Sequence, residues 1–540
     1  MTVTDDLSAG LATEPVPYRR SAVVSGAAWW AGLAVILLVG LGLRLIDIHS
    51  PVMDHPAWRQ GDTAAIARNF AQLKFNIFYP QTDYDGPPPN YVELELQIVP
   101  YLAAIGYKLF GVHEIFGRLI SVAFSLGTVA VVAFFGRWLF ESAAAGLAAA
   151  VLFATFPGSV YYGRTFMPDT AMAFFLTLAL YASLRAVLSP RPSAIPRNEI
   201  GSAILMALAF LAKPVSLVAI VPVFSAEIAR ALEARKRVLP WRSALIVVPA
   251  LISLWLYLTY VDAHAEWHWA SAITRLHVIP SLAAALHSPH ALAAKLTVLV
   301  TTIPWMLGTT MLGPAGFGLA LVALLVPLRS RCDAFLYGWA AALVAYAFVV
   351  VTVERVDYYL YPVLPLAALV AGAFLARSAA AWQAASQRAK LVLAAGAVAA
   401  FIVALGAGES EIRPYYHYRS SVYAAARHLA HVLRPGALVV MAHYDPSILY
   451  YMRHKGWEED PLLWTPFDEE SAIKKGARYF IAVEANRFRR NAELFEWMQR
   501  FPLLRGAGMW PVYETDYAKM LPGAEERWQQ FRREERLRQR

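Results

Sequence analysis

The 540 residues are 58% apolar and only 16% charged, against roughly 45–50% and about 25% in an average soluble domain. That balance excludes an ordinary soluble enzyme, and a net charge of +9 on so apolar a chain points to membrane orientation before nucleic-acid binding. The single cysteine, Cys332, rules out an intrachain disulfide and a cysteine-based zinc cluster.

Apolar runs able to cross a bilayer, about 17–25 residues each, recur in chain order. They lie at 26–46, 115–138, 142–160, 167–188, 200–212, 214–230, 243–261, 312–328, 334–353, 357–377 and 389–407. The expectation is a polytopic α-helical membrane protein of about 11 transmembrane helices. Arg19 and Arg20 precede the first run, which is too long for a signal-peptide core and should stay in the membrane. Basic residues fill alternate turns: Arg137, then Arg185, Arg191 and Arg197, then Arg230, Arg235, Lys236, Arg237 and Arg242, then Arg329 and Arg331, then Arg377, Arg388 and Lys390. Those turns are expected to face the cytoplasm. The stretch 292–311 is also apolar, but counting it as a crossing would place Arg329, Arg331 and Arg377 outside, so a re-entrant or surface helix is predicted. The organisation expected is a cytoplasmic tail at 1–25, a membrane module at 26–408 with outer loops 47–114 and 262–311, and an outer α/β domain at 409–540. Within that last part, helical patterns at 421–433, 446–455, 469–475 and 489–501 alternate with strand-like runs at 437–442, 479–483 and 509–514. No Gly-rich phosphate loop occurs there, and 525–540 reads as a solvated helix or frayed end.

Ionisable groups beside a large apolar bundle are costly unless paired, solvated or used. The first outer loop opens with MDHPAWRQGDT at 53–63, which carries Asp54, His55, Arg59, Gln60 and Asp62. Asp62 precedes a helical pattern at 63–73, so it reads either as a helix N-cap or as a functional acid. Asp54 has no such structural context. The loop returns through a Pro run to Glu93 and Glu95, and Glu95 lies nearer the apolar stretch 96–110 and is favoured as the acid entering a shared cavity. The next outer turn, YYGRTFMPD at 161–169, brackets a Pro with Arg164 and Asp169. A guanidinium at this face can grip a phosphate bidentately, whereas Asp169 suits the first turn of a helix. Lys213 before Pro214 reaches the same face, and 354–362 adds Arg355, Tyr358 and Tyr359. Carboxylates beside Arg164, Lys213 and Arg355 suit acid or base work next to a phosphate-bearing donor. His264, Glu266 and His268 are an alternative metal set, although their spacing beside tryptophans fits an interfacial loop better.

Several of these pieces, in this order, resemble the polytopic glycosyltransferases of the GT-C fold, in the branch holding the bacterial aminoarabinose lipid A transferases and the protein O-mannosyltransferases. The matching pieces are HPAWRQ at 55–60, DTAAIARN at 62–69, Glu95 with PYL at 100–102, the 161–169 run, LAKP at 211–214, and Tyr358, Tyr359 and Leu360 with Pro362 and Pro365. The resemblance implies an inner-membrane enzyme with a periplasmic C-terminal domain. It would take a sugar from a polyprenyl (undecaprenyl) phosphate and pass it to a hydroxyl of a lipid, glycan or protein, with inversion. The family's base, an acid after the first span, falls on Asp54, or on Asp62 because His55 stands where the family carries a second acid. By the same carry-over Arg164, Lys213 and Arg355 hold the donor phosphate, while Glu95 or Asp169 positions sugar or acceptor, with His55, Arg59, Gln60, Tyr358 and Tyr359 around them. The resemblance fixes no cofactor, and a divalent cation is compatible with it. Nucleic acid is not an expected partner. The competing reading is a transporter or flippase of lipid-linked saccharides, which needs charges along a path through the bundle and an internal repeat, neither of which the sequence shows.

Overall fold

The computed structural model describes residues 25–189, 196–235, 239–382, 386–388, 391, 406–408 and 410–538. The tail 1–24, most of the expected span 389–407, and Arg191, Lys236, Arg237 and Lys390 lie outside the described residues.

Eight described helices are long and apolar enough to cross a membrane: Gly26–Arg44, Ile115–Leu139, Asp169–Leu188, Pro214–Glu233, Trp241–Asp262, Pro289–Met311, Asp333–Glu354 and Val363–Trp382. Shorter apolar helices at Ala143–Thr155 and Gly313–Leu325 pack among them. The run expected at 142–160 is interrupted at Phe156, whose ψ of 132° breaks the helix. Pro157 follows, and a residue before proline is pushed out of the helical region. A second helix, Pro157–Tyr162, then starts with Pro at its first position.

The bundle has two distinguishable ends. At one, basic side chains donate to backbone carbonyls at or just beyond helix C-termini: Arg242 to Ala186 and Ser189, Arg230 to Val187, Arg377 to Leu328, and Arg331 to Trp138. These are residues of the alternate basic turns, placed where a cation complements the negative end of a helix. At the other end lie the 47–97 loop, Lys213 and residues 354–362. The segment 262–312 begins and returns at this second end: His277 meets Glu354, Lys295 sits over Phe348, and Gly313 abuts Pro157. The apolar helix Pro289–Met311 is therefore of crossing length, yet its two ends meet partners at the same end of the bundle.

Residues 410–538 form a four-stranded sheet with helices around it. Strands β1 (Leu438–Met441), β2 (Lys455–Glu458), β3 (Ala477–Ile481) and β4 (Val512–Glu514) take the order β2-β1-β3-β4, and only β4 runs antiparallel. β2 falls where the sequence predicts the end of a helix. That helix stops at Met452 because Arg453 takes a left-handed conformation, and the strand follows directly.

This unit is docked on the first loop rather than tethered beside it. Gly86 N donates to Gly456 O at 2.7 Å and Gly456 N to Asp83 O at 2.9 Å, so the loop extends the free edge of β2. Val52 N donates to the Tyr451 hydroxyl, and Arg68 donates to Tyr450 O while stacking on its ring. The helix Ala57–Gln72 comes so close to the helix Pro446–Met452 that a Cβ on Gly61 would lie 2.6 Å from the Cα and N of Ser447. Backbone cannot yield as a flexible side chain can, so Gly61→Val should cost about 1–3 kcal/mol as overpacking does. The expected outcome is a lower Tm and faster proteolysis within residues 410–538; unchanged protease resistance would contradict the docking.

Candidate active site

Asp54 is fully buried, and three donors take up its carboxylate. Arg118 Nη2 lies 2.9 Å from Oδ1, Arg164 Nη2 2.7 Å from Oδ2, and Gln60 Nε2 2.6 Å from Oδ1. Both guanidiniums are themselves fully buried. Arg164 also donates to Asp47 O and stacks on Tyr161 and Tyr416, so its fork is used inside the fold. Gln60 completes the knot by accepting from Phe166 N.

The helix Ala57–Gln72 begins six residues before the position an N-cap role for Asp62 would require, with Pro56 at its cap. Asp62 is therefore an interior residue, on the same helical face as Arg59 one turn earlier. Arg59 is ion-paired with Glu95 and lies within electrostatic reach of Asp62, Asp169 and Tyr358. Lys213 Nζ bonds Asp169 Oδ1 at 2.6 Å and sits 5.2 and 5.1 Å from the ring centres of Tyr358 and Tyr359, which stack on one another. Asp169 is the first residue of its helix and leaves its second oxygen without a hydrogen bond. Arg355, by contrast, is exposed in a left-handed turn, and its side chain donates from Nε to Thr352 O.

Two acids of the first loop separate. Glu95 goes to Arg59, while Glu93 accepts from Ser271 N and faces His268. The metal set read from sequence does not assemble: His264 bonds Tyr260 O and stacks on that tyrosine's ring. His268 instead joins Asp262 at 2.9 Å and Glu93 at 4.0 Å. Among the described residues, Glu93, Asp262 and His268 are the group whose ligand atoms converge closely enough to hold a metal ion. His55 stacks on Tyr415 with ring centres 4.0 Å apart, and its Nε2 lies 3.8 Å from Asp357. Burial pushes the Asp357 carboxyl up, but bonds from His55, Tyr162 and Tyr415 outweigh it and hold the group below its ordinary value.

Asp62 has the opposite balance. Burial, with Asp445 and Asp85 nearby, pushes it up to about 7 despite Arg59 and a hydrogen bond from Tyr84. Burial likewise raises Asp85 to about 6 and Glu459 to about 7, and lifts Glu458 well above the carboxylate range. Arg118, Tyr84, Asp85, Asp445, Glu458 and Glu459 were not singled out from sequence. Arg118 had a signal, a charge within an otherwise apolar run; Glu458 lies in a polar stretch where nothing marks one acid over another.

Residues 97–261 match the family model described as dolichyl-phosphate-mannose-protein mannosyltransferase. Among solved structures, the chain is similar to ArnT from Cupriavidus metallidurans bound to undecaprenyl phosphate, at 16% identity and a TM-score of 0.56 over 92% of this chain and 100% of that one. It is similar also to the oligosaccharyltransferase AglB from Archaeoglobus fulgidus in complex with an inhibitory peptide and a dolichol-phosphate, at 13% identity and a TM-score of 0.56 over 92% and 75% of the two chains. No curated protein matches. At these identities the structures show the fold, and it is the GT-C fold expected from the sequence. The fold is thus that of the polytopic GT-C proteins, and the segment matched by the family model lies within its membrane bundle.

Removing the charge between two buried guanidiniums leaves them uncompensated, which typically costs about 3–5 kcal/mol. Asp54→Asn should therefore lower Tm markedly in detergent. The raised carboxyls give a second expectation. In the unfolded chain Asp and Glu lose their protons near pH 4, whereas Asp62, Asp85 and Glu459 keep theirs to about 7, 6 and 7. The native state thus binds more protons across that window, and stability falls as pH rises through it. Thermal unfolding at pH 5.5 and pH 8 should show the higher Tm at the lower pH, with the difference reduced by Asp85→Asn.

Proposed function

We propose that the chain is a membrane glycosyltransferase that moves a sugar from a polyprenyl phosphate to a hydroxyl of a lipid, glycan or protein acceptor, on the periplasmic side of a bacterial inner membrane. The observation that carries this reading is Asp62, a buried carboxyl poised at about 7 beside the Arg59–Glu95 and Lys213–Asp169 pairs. A general base works best with a pKa near the operating pH. Asp62 accepts the acceptor's proton as that oxygen attacks the anomeric carbon; the bond from that carbon to the phosphate oxygen breaks, and polyprenyl phosphate leaves with the electron pair. Attack opposite the leaving group inverts the centre.

Lys213 and Arg355 are the cations best placed for the phosphate. Lys213 needs only to exchange Asp169 for it, and Arg355 is exposed. The stacked Tyr358 and Tyr359 offer an apolar plate for a sugar face, and Glu95 and Asp169 offer acceptors for its hydroxyls. Arg164 is reassigned from phosphate ligand to positioning residue, because both ends of its fork are already held by Asp54 and Asp47. Asp54 is assigned the same kind of role in place of the base. The lipid phosphates bound in ArnT and AglB, and the mannosyltransferase description of the family model, support this class of donor.

The test is turnover by purified protein against a panel of polyprenyl-phosphate sugars. Asp62→Asn should lower kcat by about 10²–10⁴, the span general bases supply, with Tm preserved. The log of kcat/KM should fall with unit slope below about pH 7, because Asp62 must be ionised to act. Lys213→Ala and Arg355→Ala should raise the donor KM. Full activity in Asp62→Asn would remove the base, and loss in Asp54→Asn without loss of Tm would return that role to Asp54.

A further inference from the structure

Asp62 belongs to a larger gathering of acids that no ion pair accounts for. Asp85 comes from the first loop; Asp445 follows β1, and Glu458 and Glu459 end and follow β2. These are the carboxyl ends of two adjacent parallel strands, the edge at which open parallel sheets take ligands. Glu458 lies within electrostatic reach of Asp62, Asp85, Asp445 and Glu459, so the five acids gather where the first loop meets the C-terminal unit, a junction termed the acid chamber. Asp62 and Glu458 are each only 4% exposed, and Asp62 Oδ1 and Glu458 Oε2 have no hydrogen-bond partner. The other groups facing the chamber are Tyr84 on Asp62, Tyr444 near Glu458, Asp62, Asp85 and Glu459, Trp269 on Asp85 through a 3.2 Å bond, Ser447 N on Asp445, His443 near Asp445, and Arg59, which is engaged by Glu95. Acceptors thus outnumber donors.

A ligand that fits must be cationic and bring several N–H donors. These carboxyl oxygens do not converge as those of Glu93, Asp262 and His268 do, so a compact metal ion fits them less well than an ammonium group, whose three donors span wider gaps. A phosphate would meet only repulsion here.

We propose that this chamber binds an ammonium group carried by the acceptor, so that the C-terminal unit selects acceptors with an amine near the hydroxyl that is glycosylated. The proposal rests on the assignment of Asp62 as the base for its acceptor half. Glu458 keeps its proton until the amine arrives, and binding then drives that proton out.

The experiment is calorimetric binding to the full-length protein in detergent at pH 7.5, in two buffers of different ionisation enthalpy. Glucosamine, ethanolamine and a serine–lysine peptide are set against glucose, N-acetylglucosamine and glucosamine 6-phosphate. The expected result is that at least one amine binds ten or more times tighter than every neutral or phosphorylated probe, with net proton release. The tightest of the three amines identifies the source as sugar, lipid headgroup or peptide. Glu458→Gln should weaken that binding about tenfold and abolish the proton release, and Asp85→Asn, a second variant away from the sheet, should weaken it without lowering Tm. Equal binding of glucosamine and glucose, unaltered affinity in both variants, or displacement of the amine by millimolar Mg²⁺ would overturn the proposal. Failure here with donor turnover intact strikes only the amine site, whereas amine binding with full activity in Asp62→Asn strikes the base and the acceptor half that rests on it, and leaves the amine site.

Discussion

Asp54, caught between Arg118 and Arg164, is the constraint on which the site geometry depends. An unpaired charge at that depth would be prohibitive, and so would two uncompensated guanidiniums; the three must therefore stay together. The knot joins the chain leaving the first span to the helix Ile115–Leu139 and to the turn before Asp169. Through Gln60 it also joins the helix Ala57–Gln72. With that helix fixed at its first turn, Arg59 and Asp62 point into the same chamber as Glu95, Asp169 and Lys213. A second buried arginine works similarly: Arg44 bonds Ser125, Ala154 and Ser159 and locks the first span to three neighbours.

The chamber built on this frame is electrically polarised. Toward the bundle stand Lys213 and Arg59, each paired with an acid; toward the C-terminal unit stand Asp62, Asp85, Asp445, Glu458 and Glu459. One end suits an anionic leaving group and the other suits a group that gives up a proton or carries positive charge. The docking through Gly86, Gly456 and Tyr451 brings the strand that carries Glu458 against the first loop, two residues beyond a backbone bond between them.

The opposite end of the bundle shows why the charge count of the sequence reads so clearly. Arg230, Arg242 and Arg331 each satisfy carbonyls in the last turn of a helix, and Arg377 satisfies one in the turn that follows a helix. Their placement serves local hydrogen bonding as well as orientation, so a sequence rule about loops also describes a set of caps.

Most apolar helices were legible in the sequence because a bilayer imposes a length and a hydropathy on any segment that crosses it, and the bounds of Ile115–Leu139 and Trp241–Asp262 fall close to the expected ones. The positions of Asp54, Asp62, Glu95, Arg164, Asp169 and Lys213 at one end were legible for a related reason: few charges are tolerated beside so much apolar surface, so each stands out. Partner choice was not legible. Sequence order does not reveal that Arg164 turns inward to Asp54, that Glu93 and Glu95 part company, or that Asp62 is interior to its helix and not its cap. Nor did it show Glu458 beside Asp62, almost 400 positions away. Composition and periodicity record what each segment must bury; which charges meet is decided only when separate segments close on one another, since pairing energy depends on distances that exist in the folded chain alone.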